Sequence, residues 1–285
     1  MHGIVRRRRS SVERLWIDWQ VRAAARAAVD VHRPQVALVL GDQFDEGGRW
    51  TSDSNWDDYV GRFFRAFASF LPLKTLYLVG NHDTSFGRDM RIEDLKRYEV
   101  AFGAANRIEE IEGHTFVSLN TMALDSDVTS KDVQTEARSF LENDLQCGEE
   151  RQREAGHVTY EAPDFKYETH HHVLSRELSA ELLDKVQPDL VLSGHTHAWC
   201  EYQHSTAMEY TVPAFSWGQR PDPSYALLRL PQAGTAGQLD VTICHLPKEP
   251  LVFAMYAVTI IIIVLAHVVR FVWRLRAPRT KEKGA

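Results

Sequence analysis

The chain has 285 residues, 44% of them hydrophobic and 25% charged, with a formal net charge of -6. That composition suits one sizeable core or two small ones. The negative balance excludes a nucleic-acid binder that relies on overall positive potential, and three cysteines (Cys147, Cys200, Cys244) are too few for a disulfide scaffold.

In chain order, the stretch "MHGIVRRRRSSVERLW" is basic at Arg6 to Arg9 but has no apolar run behind the arginines, so it does not read as a signal peptide; it reads as a solvated flank. Ser11 to His32 carries Val12, Leu15, Trp16, Trp19 and Ala23 at helical spacing, with Ser10 or Ser11 as N-cap and Pro34 as terminator. Val36 to Asp42, "VALVLGD", is an apolar run that suits a strand buried on both faces. Trp56 to Leu71 predicts a helix, Thr75 to Asp83 a strand running into a polar loop, and His114 to Leu124 a third strand. Asp132 to Leu145 and Val173 to Val186 predict two further helices, and Asp189 to His197 the last clear strand. His157 and the triplet His170, His171 and His172 lack a strand-glycine context and read as solvent-exposed polar loop. This alternation argues for an α/β layered domain, with its chemistry at the carboxyl ends of the strands.

Leu251 to Val269 contains no Asp, Glu, Lys or Arg. As a helix those residues span about 28 Å, close to the hydrocarbon thickness of a bilayer. Arg270, Arg274, Arg276, Arg279, Lys281 and Lys283 follow it, whereas the near upstream flank offers only Lys248. The positive-inside rule then places the tail in the cytosol and residues 1–250 on the lumenal or extracellular side. On that side Cys200 and Cys244 either pair or stay as two buried thiols, with Cys147 free. Trp217, which closes "VPAFSW", and Arg220 and Pro221 just after it suit the rim of a pocket, with aromatic packing the default role for Trp217.

Three strand ends share a design. Each passes from apolar residues to glycine and then to metal-competent side chains: Gly41-Asp42, Gly80-Asn81-His82-Asp83 and Gly194-His195-Thr196-His197. Aspartate and histidine suit manganese, iron or zinc. A carboxylate can bridge two cations about 3.5–4 Å apart, the arrangement that clamps the attacking and leaving oxygens in phosphoryl transfer.

On these residues the chain resembles the calcineurin-like metallophosphoesterase superfamily, whose metal-binding blocks "GDQFDEG", "GNHD" and "GHTH" match in order. More narrowly, "LGDQFDEGGRW", "LVLSGHTHAWCEYQH" and "VPAFSWGQRPDPSYAL", followed by the apolar span, are similar to the branch that remodels GPI anchors. The resemblance implies an α/β sandwich of αββα layers in residues 1–250, a transmembrane helix over 251–273 and a basic cytoplasmic tail over 274–285. It implies two divalent metal ions, manganese with iron or zinc as alternatives. Asp42 would bridge them, Asn81 and His195 would bind the second, and His197 the first. His82 would lie beside the substrate phosphate, with Asp83 orienting its imidazole. The implied substrate is the GPI-anchor glycan of GPI-anchored proteins, from whose second mannose ethanolamine phosphate is removed. The lipid bilayer, retrieval machinery at the "KEKGA" tail, and a lumenal site at ER exit sites and the cis-Golgi complete the expectation, with no nucleic acid.

Two of the family's blocks have no counterpart in this sequence: a strand ending Asp-x-His before the first helix, and a His-Pro-Leu-Tyr-Arg block between Leu145 and Asp189. They would supply the remaining metal ligands and two sheet strands. Their lack predicts an isoform or incomplete gene model without two coding segments, and so a catalytically impaired protein. A different membrane metallophosphoesterase is a separate alternative for the function.

Overall fold

The computed structural model describes residues 10–124, 130–143, 174–204, 207–233, 235 and 237–276. Arg6 to Arg9, Cys147, His157, His170 to His172 and the "KEKGA" tail lie outside them. Helix α1, Ser11–His32, starts where the Ser10 hydroxyl accepts from the Glu13 amide at 3.2 Å, and it stops at Arg33 in the left-handed region, just before Pro34. Strand β1 (Val36–Leu40) follows. Its Ala37 and Val39 are buried while Val36, Leu38 and Leu40 are half-buried, so one face meets the core rather than both.

Helix α2, Asp53–Ala66, begins three residues before its apolar periodicity because Ser52 caps it. Strand β2 (Lys74–Leu78) leads into a single turn, α3 (Asn81–Thr84), and then helix α4 (Ile92–Phe102). Strands β3 (Arg107–Ile111) and β4 (His114–Ser118) form a hairpin. The third expected strand thus ends at Ser118, and Thr121–Leu124 coils into a short turn. Helices α5 (Lys131–Asn143) and α6 (Arg176–Val186) precede β5 (Leu190–Ser193), β6 (Cys200–Gln203), β7 (Met208–Thr211), β8 (Ser224–Arg229) and β9 (Asp240–His245).

Strand pairing positions the site. β1 and β2 are parallel and level, Val36 opposite Lys74 and Leu40 opposite Leu78, so the turns after them emerge side by side. In the second sheet β7 lies between β5, parallel to it, and β6, antiparallel; β8 and β9 pair antiparallel. The core under β1 and β2 is largely aromatic. Phe44 meets Trp56 edge-on with ring centroids 5.0 Å apart, and Phe63 meets Phe102 in the same way at 5.4 Å. Ile17, Val21 and Ala25 of α1, Leu95 and Tyr98 of α4, and Val133 and Leu141 of α5 close around them.

Buried polar groups tie α1 to its neighbours. Arg62 of α2 donates through Nε and Nη2 to the Asp18 carboxylate at 3.0 and 2.9 Å. Gln20, 4% exposed, donates from Nε2 to the Phe215 carbonyl at 3.2 Å and accepts from the Trp217 amide at 3.1 Å. Trp217 packs as expected, stacked on Trp16 with centroids 5.2 Å apart. Gln20→Ala orphans one buried amide and one buried carbonyl. It is expected to cost about 1–3 kcal/mol, visible as a lower denaturation midpoint at unchanged slope. Cys200 of β6 and Cys244 of β9 are both free thiols, and burial pushes the Cys200 thiol up from its ordinary range.

Residues from Pro247 onward form a separate unit. Helix α7 is one 28-residue helix, Glu249–Arg276, with no buried side chain. It is long and apolar enough to cross a membrane.

Candidate metal centre

The level ends of β1 and β2 set Asp42 against the "GNHD" turn. The His82 amide donates to Asp42 Oδ1 at 3.0 Å, and a side chain at Gly80 would overlap both Asp42 Oδ1 and the Asp42 amide nitrogen. The third turn joins them through Gly194, where a Cβ would stand 2.9 Å from the Leu40 carbonyl oxygen. This contact brings the end of β5 to the end of β1 across two sheets. Beside it, His195 Nδ1 lies 3.1 Å from Asn81 Oδ1. His197 sits on the same turn as His195, with its carbonyl accepting from the Ala214 amide at 3.4 Å.

Asp42, His195 and His197 all hold the left-handed backbone conformation, at φ 53°, 80° and 59°. Non-glycine residues are uncommon there and such strain gathers at functional sites. Three of the four expected ligands share it, in the turns that follow β1 and β5.

The structure reassigns Asp83. It is fully buried, with Oδ2 accepting from the Gly80 amide at 2.8 Å and Oδ1 from the Phe44 amide at 3.2 Å. It therefore braces the two turns instead of orienting the imidazole. His82 Nδ1 faces the Asp45 carbonyl oxygen at 2.9 Å; because a carbonyl only accepts, this nitrogen carries the proton. A main-chain carbonyl has no sequence signature, so the resemblance offered only Asp83 as the partner of this imidazole. Burial, and then the neighbouring Asp42 charge, push the Asp83 carboxyl well above the usual carboxylate range.

Two further residues hold the site. The Asp45 carboxylate accepts from Gln219 Nε2 at 3.3 Å, fastening the "SWGQR" loop to the "GDQFD" turn. Arg97 of α4 donates to the Thr51 and Gly47 carbonyls at 3.1 Å and stacks over Trp56, with its guanidinium carbon 4.6 Å from the ring centroid. Gly47 in turn donates to the His82 carbonyl at 2.6 Å. Arg97 thus acts through backbone oxygens, a role that residue spacing does not encode.

A carboxylate, an amide oxygen and imidazoles suit divalent cations in kind. In number the set falls short of two full coordination shells. Among the described residues no three of His, Cys, Asp and Glu gather closely enough to hold an ion.

Parallel strands ending in glycine turns, with Asp, Asn and His donors at their carboxyl ends, define a phosphoesterase-type centre. Consistent with this, the calcineurin-like phosphoesterase family pattern matches residues 10–199, and the chain belongs to that family. It is similar to the protein named Metallophosphoesterase 1 in Mus musculus, at 32% identity over 90% of this chain and 73% of the relative. It is likewise similar to those of Cricetulus griseus (32%, over 93% and 77%) and Danio rerio (30%, over 89% and 75%). The chain is a metallophosphoesterase hydrolase by fold and family, and its family normally uses two divalent metals.

Proposed function

We propose that this chain is the metal-dependent phosphodiesterase of GPI-anchor remodelling, removing ethanolamine phosphate from the second mannose and supporting ER-to-Golgi transport of GPI-anchored proteins. The observation that carries the reading is the combination of a phosphoesterase centre with an apolar helix, α7, on one chain, which suits a substrate that is itself held in a bilayer. Residues 1–250 stand on the lumenal side of ER exit sites and the cis-Golgi, 251–273 span the membrane, and the basic tail faces retrieval machinery in the cytosol.

In this reading Asp42, Asn81, His195 and His197 hold manganese, which when bound supplies an activated water and neutralises charge on the phosphate. His82, with its Nδ1–H held on the Asp45 carbonyl, would present Nε2 to the departing oxygen and, as the doubly protonated imidazolium, give up its Nε2 proton there, leaving the neutral Nδ1–H tautomer. Asp83 keeps the turns at their spacing.

A second reading, the same fold with impaired hydrolysis, is favoured by the short ligand set. Expression in cells lacking the enzyme distinguishes the two: restored transport of GPI-anchored proteins supports the first reading, and no rescue from a correctly localised chain defeats it. Near two equivalents of manganese or zinc per purified chain would exclude impairment through ligand loss. Digestion of residues 1–250 by protease in intact microsomes would overturn the lumenal placement.

A further inference from the structure

Trp50 is 79% exposed, yet the loop that carries it is held rigidly. Thr51 Oγ1 donates to the Glu46 carbonyl at 2.7 Å, and the Thr51 amide donates to the Gly48 carbonyl at 2.9 Å. The Arg49 amide donates to Ser85 Oγ at 3.0 Å, and Arg97 clamps the carbonyls of Gly47 and Thr51 on either side of the indole. Three residues before Trp50, Gly47 donates to the His82 carbonyl at 2.6 Å. A large apolar side chain left in water on a braced loop beside a reaction centre is displayed, not stored.

Its surroundings indicate what it meets. The Arg49 guanidinium carbon lies 4.8 Å from the Trp50 ring centroid, and Arg49 Nη1 donates to Asp89 Oδ1 at 2.8 Å. One indole face is thus covered by a cation, and among the described residues no second aromatic ring pairs with Trp50 to sandwich a flat base. A single open ring face, backed on its other side by a guanidinium that Asp89 holds in place, suits a hexose, which offers one apolar C–H face rimmed by hydroxyls.

We propose that Trp50, with Arg49 covering its other face, forms a sugar-stacking subsite on the loop tied to the phosphoester centre through Gly47 and His82, where it sets the preference for phosphodiesters borne on a glycan. This rests on the glycan reading above and deepens it.

Binding, rather than turnover, tests the subsite in the full chain in detergent. The probes are a methyl mannoside carrying ethanolamine phosphate, and ethanolamine phosphate alone, each measured by calorimetry. Trp50→Ala is expected to weaken mannoside binding about tenfold, a loss typical of one aromatic stacking contact. Trp50→Phe should retain most of the affinity, and ethanolamine phosphate should bind both variants as it binds the parent chain. Melting temperatures of the variants check that the fold is intact. If the parent chain prefers the mannoside and Trp50→Ala keeps that preference, the subsite alone is wrong. An equal loss for both probes likewise overturns it, since the effect would then lie at the phosphate. If the parent chain binds the mannoside no better than ethanolamine phosphate, the glycan reading falls and the subsite with it. Weaker binding of Trp50→Ala to phosphatidylcholine vesicles, with mannoside affinity intact, would make Trp50 a membrane contact and defeat the proposal.

Discussion

Gly80→Ala is expected to lower phosphoester hydrolysis by about a hundredfold or more and to weaken divalent-metal binding in parallel. Gly80 has an extended backbone at φ -114°, so alanine meets no conformational penalty there. What it lacks is room: its Cβ would lie 2.8 Å from Asp42 Cγ and closer still to the Asp42 amide nitrogen. A backbone atom cannot swing aside as a side chain does, so the two turns must part. A displacement near 1 Å costs about 10²-fold in rate when it separates reacting groups, and overpacking of this kind typically costs about 1–3 kcal/mol of stability. Rates with bis(p-nitrophenyl) phosphate, manganese titration and thermal melting measure the three effects. Hydrolysis within threefold of the parent, with unchanged metal affinity, would show that the spacing of Asp42 from the "GNHD" turn is not what organises the centre.

Replacing Asp83 should cost more stability than replacing any other acidic residue near the centre. Asp83→Ala leaves the buried amides of Gly80 and Phe44 without their acceptor, an expected loss of about 2–4 kcal/mol. Its titration adds a pH signature in chelator-treated protein. The folded carboxyl is raised by burial and by Asp42. Its contribution to stability is therefore fully present below the ordinary carboxylate value of about 3.9 and is lost as pH rises through the raised value. Asp83→Asn has no charge to acquire, so the stability of the parent minus that of Asp83→Asn is expected to fall with rising pH across that window. Melting both proteins from pH 4 upward measures the difference; one that grows with pH would reverse the assigned direction.

The parts of the fold legible in the sequence were those with long periodic or strongly apolar signals. Helix α1 starts and stops where Ser10 and Pro34 predict, and the apolar span is continuous helix. The strands β6 and β7, "CEYQ" and "MEYT", are too short and too polar for that signal: Glu201 and Glu209 sit in them because the sheet is half-open. Helix α4 is a different case, since Leu95, Tyr98 and Phe102 lie at helical spacing and the signal is present in the residues. At the centre, glycine followed by Asp, Asn or His located all three turns, because both requirements are written in side-chain identity. The level pairing of β1 with β2, the approach of Gly194 to Leu40 and the carbonyl partners of His82 and Arg97 were not legible. Each depends on main-chain atoms that every residue possesses.

The left-handed backbone at Asp42, His195 and His197 also restricts which elements the centre can favour. Aspartate, asparagine and histidine are the non-glycine residues that tolerate this conformation best, and they are oxygen or imidazole donors. Cysteine gains no such tolerance, and β-branched residues are penalised outright. Exchanging these positions for thiolates to build a soft, zinc-selective centre would therefore work against the chain's own torsions before any metal arrived. In the proposed metal reading, the curvature of these two turns thus biases the centre toward hard and borderline cations, so its metal preference would be partly a property of the backbone.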